Sequence, residues 1–499
     1  MPIPSRSALA RTLSAVLAGA AFHASAGAQA LDLSSEVAVV RRHLAAPQAA
    51  AALAFVERQI AEPADVIQDW IGVCNAHGPS HDEIFRARHI YKMFRIYGLE
   101  QVYIDDAYNV VAMRPGTGDG PTVVLTAHHD NVPIWPKEQP IEAFERDGRV
   151  YCPAAGDDIP GVVQLLTVAR AMNEAQLQTT GDVWFVTLSG EETGSTGAEH
   201  FARAHYPHNI DWRRGDAVVQ LHGGSGQGVT TGSGPVVVRA TLRFFTPFER
   251  QIEEAPGADR RWRPHAVDVL ARALIRIRTE VTDPRPDCLR CSGLRSENVD
   301  GAEQYLNVSV LEGSPVVNRP ASEASVRMDL RAKTLPQLTG MYEQIKGIAE
   351  ELCAELRTTG FPPHNYRERC SYVFDVNEVY GRDWASNPIP GWDLVNNTPA
   401  RFVAAAGQAV YGFEPNIDPS RGCGDCINMY KVGMPAFSFR GSVVDRGGGR
   451  VEREAEERER RGGHDVTESM AIDGLWAGVK HALAFAVTYA GIPGVPGRE

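Results

Sequence analysis

The sequence has no excess of basic residues, no long apolar run after its first thirty residues and no internal repeat. Its 50 lysines and arginines are outnumbered by 62 acidic residues, which excludes a general nucleic-acid binder because such proteins replace phosphate counterions with basic charge. A composition of 43% hydrophobic and 22% charged residues is typical of a globular protein, and it excludes disordered, collagen-like and coiled-coil chains. A chain of 499 residues is too long for one hydrophobic core, which predicts two domains.

The first thirty residues differ in composition from the rest of the chain. Arg6 and Arg11 precede an apolar run from Leu13 to Phe22, and small residues in cleavage-like triplets follow it. This order is typical of a secretory signal peptide. A membrane anchor is the alternative, but about ten apolar residues are too few for the ~20 that span a bilayer. We therefore predict that residues 1–30 are removed and that the mature protein, without a membrane segment, is periplasmic or secreted.

Eight cysteines suit an exported protein, because disulfides persist outside the reducing cytosol. Four of them form two Cys-x-x-Cys pairs, Cys288 with Cys291 and Cys423 with Cys426. Two such pairs can also bind structural zinc, but far more residues separate these pairs than in a zinc ribbon. We expect local disulfides, with a thiol redox role for either pair as the alternative.

Strands and helices alternate in the first half of the chain. Helical spacing is present at residues 32–60, 82–97 and 161–172. The last of these stretches lies between two continuous apolar runs, 121–130 and 182–192, each of which ends in charged or imidazole side chains. This order predicts an α/β fold. In such folds the ligand site lies at the carboxyl ends of the strands, so we expect the chemistry there.

A β-α-β-β-α order of elements occupies the chain between about residues 232 and 357. This order is typical of a small α+β unit, and the earlier strand and helix patterns return after it. We therefore predict one domain in two parts, 31–231 and 358–499, with a second, α+β domain inserted at 232–357.

Two motifs in the first half offer metal-ligand side chains. His128 and Asp130 are two residues apart, so in a strand they would face the same side and the carboxylate could orient the imidazole. Asp157 precedes a helix, and its two carboxylate oxygens could bridge two cations. Both assignments rest on residue type and spacing alone.

Two further motifs complete the set. Glu191 and Glu192 are adjacent at the end of a buried strand, where they repel each other unless cations neutralise one and the other acts as a base with a raised pKa. His464 stands shortly before the last helix. Each motif alone has a structural explanation, but their combination in this order favours a metal site.

These motifs resemble family twenty of the metallopeptidases, which includes peptidase T, acetylornithine deacetylase, succinyl-diaminopimelate desuccinylase, glutamate carboxypeptidase and aminoacylase. The shared pattern is His-x-Asp before Val-Pro, Asp before a glycine-started helix, Glu-Glu before Gly-x-x-Gly-Ala, and a late His with Glu four residues on. Residues 77–113, 307–333 and 422–439 are also similar to the family, so the likeness covers nearly all of the mature chain. It implies a zinc-exopeptidase-like catalytic domain, with a mixed sheet flanked by helices, and it makes the inserted domain at 232–357 a lid and dimerisation domain.

The resemblance implies two divalent metal ions, zinc in the first instance with cobalt or manganese as alternatives. Their ligands would be His128, Asp157, Glu192, His222 and His464. Asp157 would bridge the two ions. Glu191 would be the general base that activates water at the metals, and Asp130 would orient His128.

The ligand at His222 departs from the family pattern. The family usually has Asp or Glu at this position, whereas the matching stretch at 217–228 offers His222. Histidine there resembles the auxin-conjugate hydrolase branch, and an imidazole nitrogen suits zinc as well as a carboxylate does. The exchange removes one negative charge, and the alternative is that His222 is no ligand.

The resemblance also implies substrate-binding residues in the lid domain. Asn318 and Arg331 match positions that hold a substrate carboxylate in some relatives; the alternative is a capping Asn and a surface Arg. His265 is the nearest candidate for the family histidine that reaches a substrate carbonyl, often across a dimer. A homodimer through the lid domain follows from the same resemblance.

We therefore predict an exported, metal-dependent hydrolase of amide bonds in small peptides or N-acyl amino acids. A carboxypeptidase or deacylase needs a cationic pocket for a carboxylate, whereas an aminopeptidase for di- and tripeptides needs an anionic pocket for an amine. Arg331 and Asn318 favour the first, and the likeness to peptidase T around Asp157 favours the second, so both stay open. A non-catalytic binding protein of the same fold is the remaining alternative.

Overall fold

The described part of the chain covers most of both predicted domains. In the computed structural model, the described residues are 32–118, 120–133, 142–204, 217–225, 228–230, 236–246, 265–281, 294–297, 303–313, 321–332, 335–358, 370–380, 398–412, 416–417, 425–431, 436–442 and 468–497. The predicted signal peptide at 1–30 and the site candidates Asn318 and His464 lie outside these ranges. For His222, only the backbone is described, as part of a strand.

Helices form where the sequence has helical spacing of apolar residues. Their bounds are α1 (Ser34–Leu44), α2 (Pro47–Ala61), α3 (Ala64–Asn75), α4 (Ile84–Ile96), α5 (Ile159–Glu174), α6 (Thr196–Ala204), α7 (Ala266–Arg276), α8 (Leu335–Thr358), α9 (Thr398–Tyr411), α10 (Cys426–Lys431) and α11 (Leu475–Tyr489). The helices predicted at 32–60, 82–97 and 161–172 are confirmed. Among the residues described, no helix combines the length and apolar character needed to cross a bilayer.

An eight-stranded mixed sheet forms the centre of the larger unit. Its strands, in spatial order, are β1 (Glu100–Ile104), β2 (Val110–Arg114), β6 (Val183–Leu188), β3 (Val123–His128), β7 (Ala217–Ser225), β15 (Ala436–Ser442), β8 (Gly228–Thr230) and β14 (Asn416–Ile417). β3 runs parallel to both β6 and β7, and every residue of β3 and β6 is buried. The predicted α/β fold with a mixed sheet is confirmed, and the carboxyl ends of β3 and β6 meet at one edge.

Helices cover both faces of this sheet. One face packs with α1 to α5, α9 and α11 in a core that contains the buried side chains of Trp70, Phe94 and Phe485. On the other face, Phe201 of α6 and Met429 of α10 pack against the sheet. Burial of each large apolar side chain contributes about 1.5–3 kcal/mol. The polar strand ends therefore lie at the rim of a covered sheet.

A five-stranded antiparallel sheet forms the second unit. Its strands, in spatial order, are β10 (Leu294–Glu297), β11 (Glu303–Glu312), β12 (Glu323–Ala332), β9 (Val236–Phe245) and β13 (Ser371–Tyr380). α7 and α8 pack against it, with Phe244 and Ile345 in the shared core. The sheet extends past the predicted lid boundary at 357, because β13 pairs with β9 along its length. The domain boundaries themselves stay predictions.

A small three-stranded sheet joins distant parts of the chain. It consists of β4 (Phe144–Arg146), β5 (Arg149–Tyr151) and β16 (Ser469–Ala471), all antiparallel. β5 leads into the segment before Asp157, and β16 directly follows Glu468. The small sheet therefore brings the start of the Asp157 segment next to the last part of the chain.

Two disulfides are present within the described residues, and neither is formed by a Cys-x-x-Cys pair. They are Cys74–Cys152 and Cys353–Cys370, with Cα atoms 6.2 and 5.0 Å apart. Of the two Cys-x-x-Cys pairs, only Cys426, the first residue of α10, lies in the described part. The expectation of local disulfides in those pairs therefore stays a prediction.

Candidate metal centre

His128 and Asp157 converge at the carboxyl end of β3. His128 is the last residue of β3, and its side chain is fully buried. Asp157 stands just before α5, and its Oδ1 lies 3.1 Å from Nε2 of His128. Two ligands of one tetrahedral zinc ion are separated by about 3.3 Å. The two candidate ligand atoms are therefore close enough to bind the same ion.

Asp130 connects His128 with the turn that carries the glutamate pair. Its Oδ1 lies 3.3 Å from Nδ1 of His128 and accepts the N–H of Glu191 at 3.0 Å. Its Oδ2 accepts the N–H of Glu192 at 3.2 Å and the hydroxyl of Ser80 at 2.7 Å. Burial raises the pKa of Asp130, but the hydrogen bonds from His128 and Ser80 outweigh burial and hold this pKa below its ordinary value. Asp130 is thus a buried, charged carboxylate.

Asp158 differs from its neighbour Asp157 in what it contacts. Its carboxylate caps the start of α5, because Oδ1 accepts the N–H of Gly161 at 3.2 Å. The other oxygen accepts the N–H of His128 at 3.3 Å. The fully buried Asp158 side chain therefore ties the start of α5 to the end of β3, which holds Asp157 close to His128.

Glu191 and Glu192 begin a tight turn after β6. Gly190 precedes them with a φ of 62°, in the left-handed region that favours glycine. Its N–H donates to the buried carboxylate of Glu83 at 3.1 Å. The turn is therefore held by Glu83 on one side and by Asp130 on the other, while both glutamate side chains are half-buried.

Several acidic side chains lie close to His128. Burial raises the pKa of Glu191 well above its ordinary value; His128 opposes this rise, and Asp425, Glu192 and Asp157 add to it. Burial also raises the pKa of Asp425 to about 7. Carboxyl groups in such a cluster keep protons unless cations neutralise their charges. The site therefore favours bound positive charge.

The residues present fit divalent metal ions in donor type. Imidazole nitrogen and carboxylate oxygen are the donors of zinc sites. Burial lowers the pKa of His128. The hydrogen bonds to Asp130 and Asp157 outweigh burial and raise this pKa well above its ordinary value, so the imidazole favours a bound positive charge at Nε2. Within the described ranges, no three His, Cys, Asp or Glu side chains are grouped as a complete site. The side chains of the predicted ligands His222 and His464 lie outside those ranges.

Buried polar residues that were not selected as site candidates support this site: Ser80, Glu83, Asp425 and Glu468, the last of which is the Glu of the late His motif. Glu468 accepts the N–H of Ala154 at 3.2 Å and that of Gly156 at 2.7 Å, and so holds the segment before Asp157. All four lie in or next to stretches that resemble the family. That resemblance is the signal that could have found them.

The substrate-binding candidates of the lid are only partly described. The guanidinium of Arg331 donates to both carboxylate oxygens of Asp329, from Nε at 2.9 Å and from Nη2 at 2.8 Å. His265 stands directly before α7, half-buried, and its side chain makes no capping hydrogen bond to that helix. Asn318 lies outside the described residues. The roles of these residues in substrate binding stay predictions.

Comparison with known proteins finds similarity along much of the chain. The sequence profile of Peptidase family M20/M25/M40 matches residues 124–460, more than half of the chain. A cysteinylglycine-S-conjugate dipeptidase of Corynebacterium striatum is 36% identical over 76 residues, which are 14% of this chain. That alignment spans 16% of the length of the relative.

Solved structures of low sequence identity share the fold. Human carnosine dipeptidase 1 matches with a TM-score of 0.60 at 13% identity, over 88% of this chain and 98% of that chain. A Bacillus subtilis protein, described as a dinuclear metal binding peptidase from the M20 family, matches with a TM-score of 0.50 at 14% identity, over 87% and 98%. By the extent of the profile match, this chain belongs to Peptidase family M20/M25/M40.

Proposed function

We propose that this protein is a metal-dependent peptidase for small peptides, with Glu191 as its general base. The observation that carries the proposal is the 3.1 Å approach of His128 Nε2 and Asp157 Oδ1 beside a glutamate whose pKa is raised by burial. A carboxyl group with a raised pKa next to a pair of metal ligands suits proton transfer near neutral pH.

Two divalent ions suit the acidic character of the site. The proposed ligands are His128, Asp157, Glu192, His222 and His464. Such ions polarise the scissile carbonyl and lower the pKa of water. The donor types favour zinc, with cobalt and manganese as alternatives. The Bacillus subtilis neighbour, described as a dinuclear metal binding peptidase, supports two ions rather than one.

The residues of the chain itself would move the protons. Glu191 takes a proton from the attacking water and passes it to the nitrogen of the leaving amine, so one carboxyl group acts first as base and then as acid. Asp130 holds both the imidazole of His128 and the backbone of Glu191. This shared partner keeps the base close to the candidate ligands.

Small peptides are the proposed substrates. The Corynebacterium striatum relative and the human structural neighbour are both dipeptidases by name, which supports di- and tripeptides. Arg331 was the argument for a carboxylate pocket, but both oxygens of Asp329 accept from its guanidinium. We therefore place peptides ahead of N-acyl amino acids.

Hydrolysis of a mixed substrate panel tests this proposal. The mature protein, supplied with zinc, cobalt or manganese, is incubated with dipeptides, tripeptides and N-acyl amino acids, and the products are identified by mass. We expect free amino acids from the peptides. Cleavage of N-acyl amino acids alone would indicate a deacylase. No hydrolysis with any metal, together with no bound metal in elemental analysis, would favour a non-catalytic binding protein.

We further infer that the protein is exported to the periplasm or secreted. The signal-like residues 1–30 and the two disulfides support this inference, because cytosolic thiols are kept reduced. The mature protein should begin after Ala26 or Ala30, which N-terminal sequencing measures directly. Recovery of the intact chain from the cytosol alone would contradict export. The homodimer through the lid domain is a separate prediction for sedimentation measurements.

A further inference from the structure

A disulfide joins the end of helix α3 to the segment that leads into Asp157. Cys74 lies in the last turn of α3, and Cys152 directly follows β5. Their Cα atoms are 6.2 Å apart, although they are 78 residues apart in sequence. Both side chains are buried. The bond therefore connects two distant elements shortly before a proposed metal ligand.

Arg86 connects the same helix end to the segment after β3. Its guanidinium is buried and donates to the carbonyls of Val73 and Gly78, each at 3.1 Å. It also donates to the carbonyl of His129 at 2.7 Å. Since His129 directly follows His128, Arg86 fixes the end of α3 against the strand that carries the first proposed ligand.

Glu468 holds the segment between Cys152 and Asp157 from the other side. Its carbonyl accepts the N–H of Cys152 at 3.2 Å, and its carboxylate accepts those of Ala154 and Gly156. Ala154 has a φ of 63°, a left-handed conformation that residues with side chains rarely adopt. The segment therefore depends on outside contacts to keep its shape.

We propose that the Cys74–Cys152 disulfide is a positioning element of the metal site. Arg86 ties the His128 strand to the end of α3, and the disulfide ties the Asp157 segment to the same helix end. One anchor thereby sets the separation of the two ligands. This role rests on the proposed metal-dependent function and deepens it, because a covalent bond then determines how tightly the chain binds its ions.

The second disulfide provides a matched control. Cys353 and Cys370 join α8 to the start of β13, within the core of the five-stranded sheet. Both disulfides restrict the unfolded chain and so stabilise the fold. Of the two disulfides among the described residues, only Cys74–Cys152 is connected to the segments that carry His128 and Asp157. Its removal alone should change the zinc affinity of the folded protein.

The experiment compares the variant Cys74→Ser/Cys152→Ser with the variant Cys353→Ser/Cys370→Ser, both in the full mature chain. Zinc affinity is measured by competition with a chromogenic chelator, on protein shown by circular dichroism to be folded. We expect about 10–100-fold weaker zinc binding in the first variant, the range found when groups that orient metal ligands are removed. The second variant should bind zinc like the wild type. Excess zinc should restore kcat of the first variant with KM unchanged.

Hydrogen exchange of the metal-free protein gives an independent readout. We expect faster exchange of the amides at residues 152–157 in the first variant only, because the segment loses its link to α3. Wild-type zinc affinity and wild-type exchange in that folded variant would overturn the proposal.

Other outcomes are also decisive. A wild-type protein that neither binds zinc nor hydrolyses peptides would overturn both the proposed function and the positioning role, whereas equal zinc affinity of wild type and variants overturns the positioning role alone. If the first serine variant does not fold, folded wild-type protein is reduced with a dithiol and alkylated. The products are separated by chromatography, and mass mapping of a sample of each fraction identifies the molecules in which only Cys74 and Cys152 are modified. Zinc affinity in these molecules equal to that of the oxidised protein would overturn the proposal.

Discussion

The N–H of Glu191 donates to Oδ1 of Asp130 at 3.0 Å, although the two residues lie 61 positions apart. The same oxygen lies 3.3 Å from Nδ1 of His128. One buried carboxylate therefore fixes the proposed base and a proposed metal ligand in a single arrangement. A substitution at Asp130 should therefore affect both the proposed base Glu191 and the proposed ligand His128.

Replacement of Asp130 by Asn should weaken zinc binding about 10–100-fold, because the amide is uncharged and offers a single acceptor oxygen. Chelator competition measures the affinity, and steady-state kinetics should show a lower kcat, since the turn at Glu191 loses an acceptor. Asp147→Asn is the matched control, because the Asp147 side chain is 87% exposed. Equal zinc affinity in Asp130→Asn and the wild type would refute the orienting role.

Replacement of Glu191 by Gln should lower kcat at least about 100-fold, because the amide cannot accept the proton of the attacking water. Zinc content by elemental analysis should stay at the wild-type level. Glu199→Gln, a change at an exposed ion pair with Arg203, should leave kcat unchanged. Normal turnover in Glu191→Gln would remove Glu191 from the role of base.

Replacement of Ser80 by Ala should lower the free energy of unfolding by about 1.5–3 kcal/mol, since it removes a buried hydrogen bond to the charged Asp130. Urea unfolding measures this change. Ser35→Ala is the control, because the hydrogen bond of Ser35 to Glu36 is exposed, and it should cost less than about 0.5 kcal/mol. Equal losses of unfolding free energy in the two variants would contradict the predicted contribution of the hydrogen bond from Ser80 to Asp130.

The free energy of unfolding should fall in mild acid because His481 is buried in its neutral form. Burial lowers the pKa of His481 to about 4, and the neutral ring bonds the carbonyl of Val403 and the hydroxyl of Tyr411. The unfolded chain takes up a proton near pH 6.5, whereas the folded chain does so only near pH 4. The contribution of His481 is therefore complete above about pH 6.5 and is lost as the pH falls towards 4.

Urea unfolding at pH 7 and pH 5 measures this contribution. We expect the wild type to lose about 2 kcal/mol more than His481→Gln between these pH values. His77→Gln is the control, because the His77 side chain is 57% exposed, and it should follow the wild type. Equal pH dependence in His481→Gln and the wild type would show that His481 does not control the acid response.

Sequence patterns predicted the strands whose apolar residues follow one another directly in the sequence. The apolar runs at 121–130 and 182–192 form β3 and β6, because such runs are stable only when both faces are covered. Earlier in the chain, local composition does not show where β1 ends and β2 begins. Asp105 accepts the N–H groups of Ala107 and Asn109, both at 2.9 Å, and so makes the turn between the two strands.

The support of the site depends on contacts that no local pattern contains. Ser80 reaches Asp130 across 50 residues, and the carboxylate of Glu83 reaches Gly190 across 107. The pairing of Cys74 with Cys152 depends likewise on where α3 and β5 end in space. The sequence therefore allowed acidic residues of the site to be proposed, whereas the residues that hold them are identified only by the structure.

Glu468 accepts the N–H of Gly156 across 312 residues of chain. A ribosome therefore produces His128, Asp157 and Glu191 long before it produces the residue that shapes the Asp157 segment. A polypeptide terminated before Glu468 would carry the proposed base but an unsupported ligand. The Asp157 segment therefore reaches its final shape only after nearly the whole chain has been synthesised.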